Sequence, residues 1–184
     1  MRAALALLAL PLALSACDKP DKGPKTLDQA KAEARQLERP QPGEYRQTTR
    51  ITRFEVPGAP REMVERIRTM MQGQGGNLTY CLTQADSDKG FEEMFKKGRE
   101  GDCTYERFDA SANTIVAVMV CKSGPGGTAR MTMTGTVEST GSKVKVDVDQ
   151  TNPKTPMGNA KIGMELETRR LGDCPAGGAS GAPG

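Results

Sequence analysis

The sequence has no His and no Trp, only four Phe and three Tyr, and no marked excess of either charge. Each shortage excludes something. Without His there is no Ser-His-Asp or Cys-His catalysis, no His-ligated zinc and no haem held by a His. With 26 basic residues against 23 acidic ones the formal charge is only +3, too near balance for an electrostatic nucleic-acid binder. Aromatic residues make up 4% of the chain, which leaves few rings for stacking bases. No nucleic-acid partner is expected. A length of 184 residues allows one domain with a modest core.

The beginning of the chain reads as an address. Arg2 precedes an apolar stretch from Ala3 to Leu14, followed by small residues. This is the layout of a secretory signal peptide, and the stretch is too short to span a bilayer comfortably. Leu14-Ser15-Ala16-Cys17 resembles the bacterial lipobox. That resemblance implies cleavage after residue 16 and acylation of Cys17, whose acyl chains would anchor the protein to a membrane. The expected location is the cell envelope, facing the periplasm. Asp18 resembles an inner-membrane retention signal, and the choice between inner and outer membrane stays open. Residues 18–42 are rich in charge and Pro, with Leu27 and Leu37 the only large apolar residues. Residues 17–42 are therefore read as the lipidated Cys and a flexible tether. Within it Thr26 to Glu38 can form a short helix, N-capped by Thr26, that lacks an apolar face and would be exposed. Residues 175–184 read as a disordered Gly/Ala/Pro tail, leaving 43–174 as one β-rich domain.

Inside that domain the fold class expected is α+β: a mainly antiparallel β meander of about seven strands with two short helices. Strand patterns run from Glu44 to Val56, with a change of apolar parity between Ile51 and Phe54 that predicts a bulge, and over Leu78–Leu82 and Thr104–Phe108. They continue over Thr114–Lys122, Ala129–Glu138, Lys143–Asp149 and Ala160–Glu167. Helical patterns cover Pro60–Gln72 and a segment after Thr83 whose buried face is Phe91, Met94 and Phe95. The strand Ile115–Val120 is apolar on both faces and is expected to be the most buried. The other strands alternate, which predicts a sheet with one wet face.

With Cys17 assigned to lipid, four Cys remain: Cys81, Cys103, Cys121 and Cys174. An even number beyond a secretion signal predicts two disulfides. No C-x-x-C pair suggests a zinc ribbon or a redox motif. Three pairings exist. The one favoured is Cys81–Cys103 with Cys121–Cys174, because it locks the last strand down. Cys103 and Cys121 are also symmetric about Ala112, so they can face each other across a hairpin.

A set of short motifs is familiar in combination. They are Pro42-Gly43-Glu44-Tyr45, Cys81-Leu82-Thr83, Val120-Cys121, the run from Gly126 to Gly135, and Arg170-Leu171-Gly172-Asp173-Cys174. With the lipobox and Cys103 they resemble a bacterial envelope family known as domain of unknown function 3617, over about residues 43–174. The resemblance implies a small secreted or lipid-anchored protein. It implies no activity and carries no catalytic or binding residue.

Candidate chemistry is thin. Asp86–Gly90 resembles a calcium loop but places its Gly at the fifth position and Lys97 at the twelfth, so a helix cap accounts for it better. Gly124–Thr128 lacks the Lys of a P-loop and reads as a hairpin turn. Met119, Met131 and Met133 could present thioethers to Cu(I), yet the alternation assigns them to the core. Asp147, Asp149, Glu165 and Glu167 share predicted wet faces with Lys143, Lys145 and Lys161, the usual look of a solvated sheet. No catalytic, cofactor-binding or metal-ligating residue is therefore assigned, and no cofactor is expected. The leading expectation is a non-enzymatic, lipid-anchored periplasmic module that binds something or supports the envelope. Its partners would be the membrane, through the acylated N-terminus, and an envelope protein, met by a Met- and Val-lined groove or a free strand edge. Alternatives are a carrier of a small apolar ligand and an enzyme of unrecognised type.

Overall fold

The computed structural model describes residues 23–74, 77–100, 102–154 and 158–176. The signal segment, Cys17 and most of the C-terminal tail lie outside the described residues. Seven strands form one antiparallel sheet: β1 (Gly43–Glu55), β2 (Asn77–Leu82), β3 (Cys103–Ser111), β4 (Thr114–Lys122), β5 (Thr128–Glu138), β6 (Gly141–Thr151) and β7 (Ala160–Gly172). Their spatial order is β2-β1-β7-β6-β5-β4-β3. The last five strands are a plain meander. β1 then pairs with the last strand, and β2 closes the far edge. Among the described residues four helices accompany the sheet: α1 (Leu27–Ala34), α2 (Arg61–Gln74), α3 (Gln84–Lys89) and α4 (Glu92–Glu100). The α+β class and the seven-strand meander agree with the sequence reading. The second expected helix is two, because Gly90 ends α3 with a positive φ of 58°.

The expected bulge is present. The β1–β7 register shifts between Ile51 and Arg53. Opposite it stands Gly163, where a Cβ would come within 2.9 Å of the Thr52 hydroxyl and 3.0 Å of the Arg53 Cβ. Gly135 has a similar reason, since its Cβ would lie 2.1 Å from the Lys143 carbonyl oxygen on β6.

Cross-strand pairs point to the same side of a sheet, so the register defines rows. One row runs Met119–Met131–Val148–Ile162–Phe54 and the next Ala117–Met133–Val146–Met164–Ile51. A third runs Ile115–Gly135–Val144–Leu166–Thr49. This is the inner face. At the β3 end it meets α1 and α4 in a core of Ala30, Ala34, Leu37, Phe95, Tyr105 and Phe108 with Ile115, Ala117 and Val137. Phe95, Tyr105 and Phe108 supply three mutual ring contacts at 5.6–5.9 Å. α2 lies against β1 at the other end.

Three expectations need correction. The N-terminal segment is not an exposed helix on a long tether. Thr26 does cap α1, in a capping box with Gln29, but Ala30 is fully buried, and Ala34 and Leu37 nearly so. Leu27, Ala30, Ala34 and Leu37 form a stripe at helical spacing; the two alanines let the helix approach β3 closely. Lys25 joins this packing, donating its backbone N–H to the Tyr105 carbonyl at 2.9 Å and pairing its ammonium with Glu33 at 2.7 Å. The folded body thus includes Lys25 and α1.

The second correction concerns β4. Ile115 and Ala117 are buried, but Val116, Val118 and Val120 on the outer face are only half-buried. Both faces are apolar, yet helices cover only one.

The third concerns the disulfides, which are Cys81–Cys174 and Cys103–Cys121, with Cα separations of 5.7 and 4.0 Å. The favoured pairing of Cys81 with Cys103 and Cys121 with Cys174 is wrong for a topological reason. β3 and β4 pair with Cys103 directly opposite Cys121. Cys81 sits on β2 at the opposite edge, two strands from β7, whose end carries Cys174.

Candidate functional site

The short motifs that single the sequence out converge on joints. Arg170 donates its Nε–H to the Pro42 carbonyl at 2.9 Å and an Nη–H to Asp173 at 2.5 Å. The Tyr45 hydroxyl lies 2.8 Å from the Gln41 carbonyl and 3.0 Å from that of Ser139. Its ring stacks on Tyr80 with centroids 5.7 Å apart. Cys81–Cys174 closes the same corner. Gly127 has no room for a Cβ, which would lie 2.1 Å from the Ser123 carbonyl, and the Asn152 amide donates to that carbonyl at 3.2 Å. These residues fasten β1, β2 and β7 together and shape the β4–β5 turn.

The other candidates also take structural places. Thr83 caps α3, accepting from the Asp86 N–H at 3.2 Å, and Asp86 accepts from Lys89 at 2.8 Å. These contacts hold the Asp86 carboxyl below its ordinary range, the Lys89 bond contributing most. The outer-face carboxylates pair with neighbouring cations: Glu165 with Arg50, Glu167 with Lys143 at 3.5 Å, Asp147 with Lys145 at 3.6 Å. Such exposed pairs are worth little. Asp149 stands opposite both Lys161 and Arg130 in the register. Among the described residues no cluster of His, Cys, Asp or Glu is arranged to hold a metal ion.

Two features are left that structural duty does not absorb. The first is the middle of the inner face. Met131, Val144, Val148, Ile162, Met164 and Leu166 are all half-buried, although they sit in the centre of the sheet, between the flanks where α1, α4 and α2 lie. Only Val146 among their neighbours on β6 is fully buried. Met131 stands directly opposite Met119, and Met164 opposite Ile51. The alternation predicted the composition of this strip, a Met- and Val-lined groove, but treated Met131 as core. The apolar stripe of α2 is also incompletely covered, with Met63 at 42% and Met70 at 56% exposure.

The second feature is a cleft of about 370 Å³ between α1 and the α3–α4 pair. Ala34, Leu37, Phe91 and Phe95 give it an apolar lining, and six basic side chains against two acidic ones surround it. Its walls are pinned. The Ser87 hydroxyl donates to the Pro40 carbonyl at 2.6 Å. Glu38 donates its N–H to the Ala112 carbonyl at 3.0 Å and accepts from the Ser139 N–H at 2.8 Å. The sequence reading missed this cleft, because one wall of it is built by the segment read as a tether. The spacing of Leu27, Ala30, Ala34 and Leu37 was the available signal.

No curated protein and no solved structure matches the chain. A family model described as Protein of unknown function (DUF3617) matches residues 40–174. It starts after α1, so it spans the sheet and the fastening motifs but only part of the cleft. The chain belongs to this family of unknown function.

Proposed function

We propose that this protein is a non-enzymatic binding module, held in the cell envelope by an acylated Cys17 and facing the periplasm, and that it takes an apolar guest on the open strip of its sheet. The observation that carries this reading is the strip itself: six large apolar side chains in the middle of an antiparallel sheet, left half-covered by the flanking helices. A protein that needed this face only for stability would bury it. The prominence of Met suits the role, because thioether side chains repack around guests of different shape. A small apolar ligand is favoured over a flat protein surface because α1 and α4 stand on the inner face at the β3 end and wall the strip on that side, the trough of this reading.

The anchor sets where this happens. Eight positions separate Cys17 from Lys25, which is fixed to β3, so the chain between them reaches at most roughly 28 Å. The trough would stay near the bilayer surface.

The reading is tested in the native envelope. A photo-crosslinking residue at position 164 should capture a molecule of lipid size, and the same residue at position 145, on the opposite face, should not. Equal labelling from both positions, or a protein adduct alone, would exclude an apolar-ligand trough. Separately, Cys17→Ala should leave the precursor unprocessed and without fatty-acyl label. Processing and labelling unchanged from wild type would remove the anchor.

A further inference from the structure

The cleft between α1 and α3–α4 shares no residue with the apolar strip, and its chemistry differs. The whole chain carries 26 basic and 23 acidic residues, yet the cleft is lined by Lys31, Arg35, Arg39, Lys89, Lys96 and Arg99 against Asp88 and Glu92 alone. The nearly balanced charge of the molecule is therefore locally unbalanced here. Some surface cations elsewhere are matched: Arg50, Arg53, Arg130 and Lys122 each meet a carboxylate; at the cleft Lys89 pairs with Asp86. Lys31, Arg35, Arg39 and Arg99 make no ion pair with any described residue.

Beneath these cations the lining is apolar. Leu37 is 3% exposed and Phe95 2%, and Phe91 is half-buried beside them. One concavity thus offers a hydrocarbon floor and a cationic rim. The planar guanidinium group binds two oxygens of a carboxylate or phosphate through paired N–H donors. A volume of about 370 Å³ falls within the small-molecule range. The pinned segment between α1 and β1 keeps the walls in place before anything binds, which lowers the entropic cost of binding.

The geometry points to a binding site for a small anionic amphiphile: a phosphate or carboxylate group met by Arg35, Arg39 and Arg99, with a short apolar portion laid on Leu37, Phe91 and Phe95. Such a group is available from an anionic lipid headgroup region or from a free alkyl phosphate.

Calorimetric titration of the purified full chain with octyl phosphate, below its micellar concentration, provides the test. Octyl phosphate is expected to bind at least tenfold more tightly than octanol and at least tenfold more tightly than inorganic phosphate, since each lacks one half of the recognition. Arg35 and Arg99 are both exposed, so the double variant Arg35→Gln/Arg99→Gln should melt at the wild-type temperature while losing at least tenfold in affinity. Sedimentation with phosphatidylglycerol vesicles, against phosphatidylcholine vesicles as the neutral control, separates the sources. Charge-dependent sedimentation lost in the double variant assigns the ligand to the bilayer; octyl phosphate binding without it assigns a soluble amphiphile. Binding of octanol or phosphate equal to that of octyl phosphate, or an unchanged affinity in the double variant, would overturn the site.

Discussion

At the residue scale the three tyrosines report the packing. Burial pushes the phenols of Tyr45, Tyr80 and Tyr105 above their ordinary value, with Arg170 opposing the effect at Tyr45 and Tyr45 adding to it at Tyr80. The Tyr105 hydroxyl is buried without a hydrogen-bond partner among the described residues, held where α4 carries Gly98, whose Cβ would lie only 3.0 Å from it. The sign of the linkage follows. The folded state keeps these phenols protonated to higher pH than the unfolded state does. Stability is therefore undiminished below about pH 10, the unfolded value, and declines above it as the unfolded chain releases its protons first. Ultraviolet titration of the native protein should show all three phenolates forming above pH 10. In guanidinium the curve should return to an ordinary midpoint, and native phenolates appearing at that midpoint would contradict the burial.

Elements were unequally legible in the sequence. β4 and β5 could be read nearly to their ends, because alternation and Gly-rich turns are local signals; β6 was read two residues short at each end and β7 five residues short, its end at Gly172 lying past Glu167. The bulge of β1 was readable from the parity change between Ile51 and Phe54. What the sequence hid was the burial of α1. Its buried face consists of two alanines between two leucines, and in a segment full of charge and Pro that pattern carries little hydrophobic contrast. Its weight comes from what covers it, Phe95, Tyr105 and Phe108. The cleft went unseen with it, because a pocket between two elements has no signature in either one. Enlarging the hidden face tests its importance. Ala30 is fully buried, so Ala30→Leu should destabilise the fold by about 1–3 kcal/mol through overpacking, read as a lower urea midpoint at unchanged slope. A change of a few tenths would mean that α1 is the loose helix its composition suggests.

For the whole molecule, the sequence could count the disulfides but not pair them, since pairing depends on which strands become neighbours. The strand order that decides the pairing has a further consequence, for the route by which the protein folds. The five-strand meander joins neighbours in sequence, so its loops close at small entropic cost. β1 must instead find β7, more than a hundred residues later in the chain. That contact can form only when the chain is nearly complete. The two disulfides therefore belong to different moments: Cys103 and Cys121 are 18 residues apart on one hairpin, and Cys81 and Cys174 are 93 apart across the last-made junction. Acid-trapping during oxidative refolding should find the Cys103–Cys121 bond first and the Cys81–Cys174 bond only in species that already carry it. The reverse order would show that the far edge forms independently of the meander. On this route the first strand to be synthesised is among the last to be placed, and the bond at Cys81 and Cys174 records that the sheet is complete.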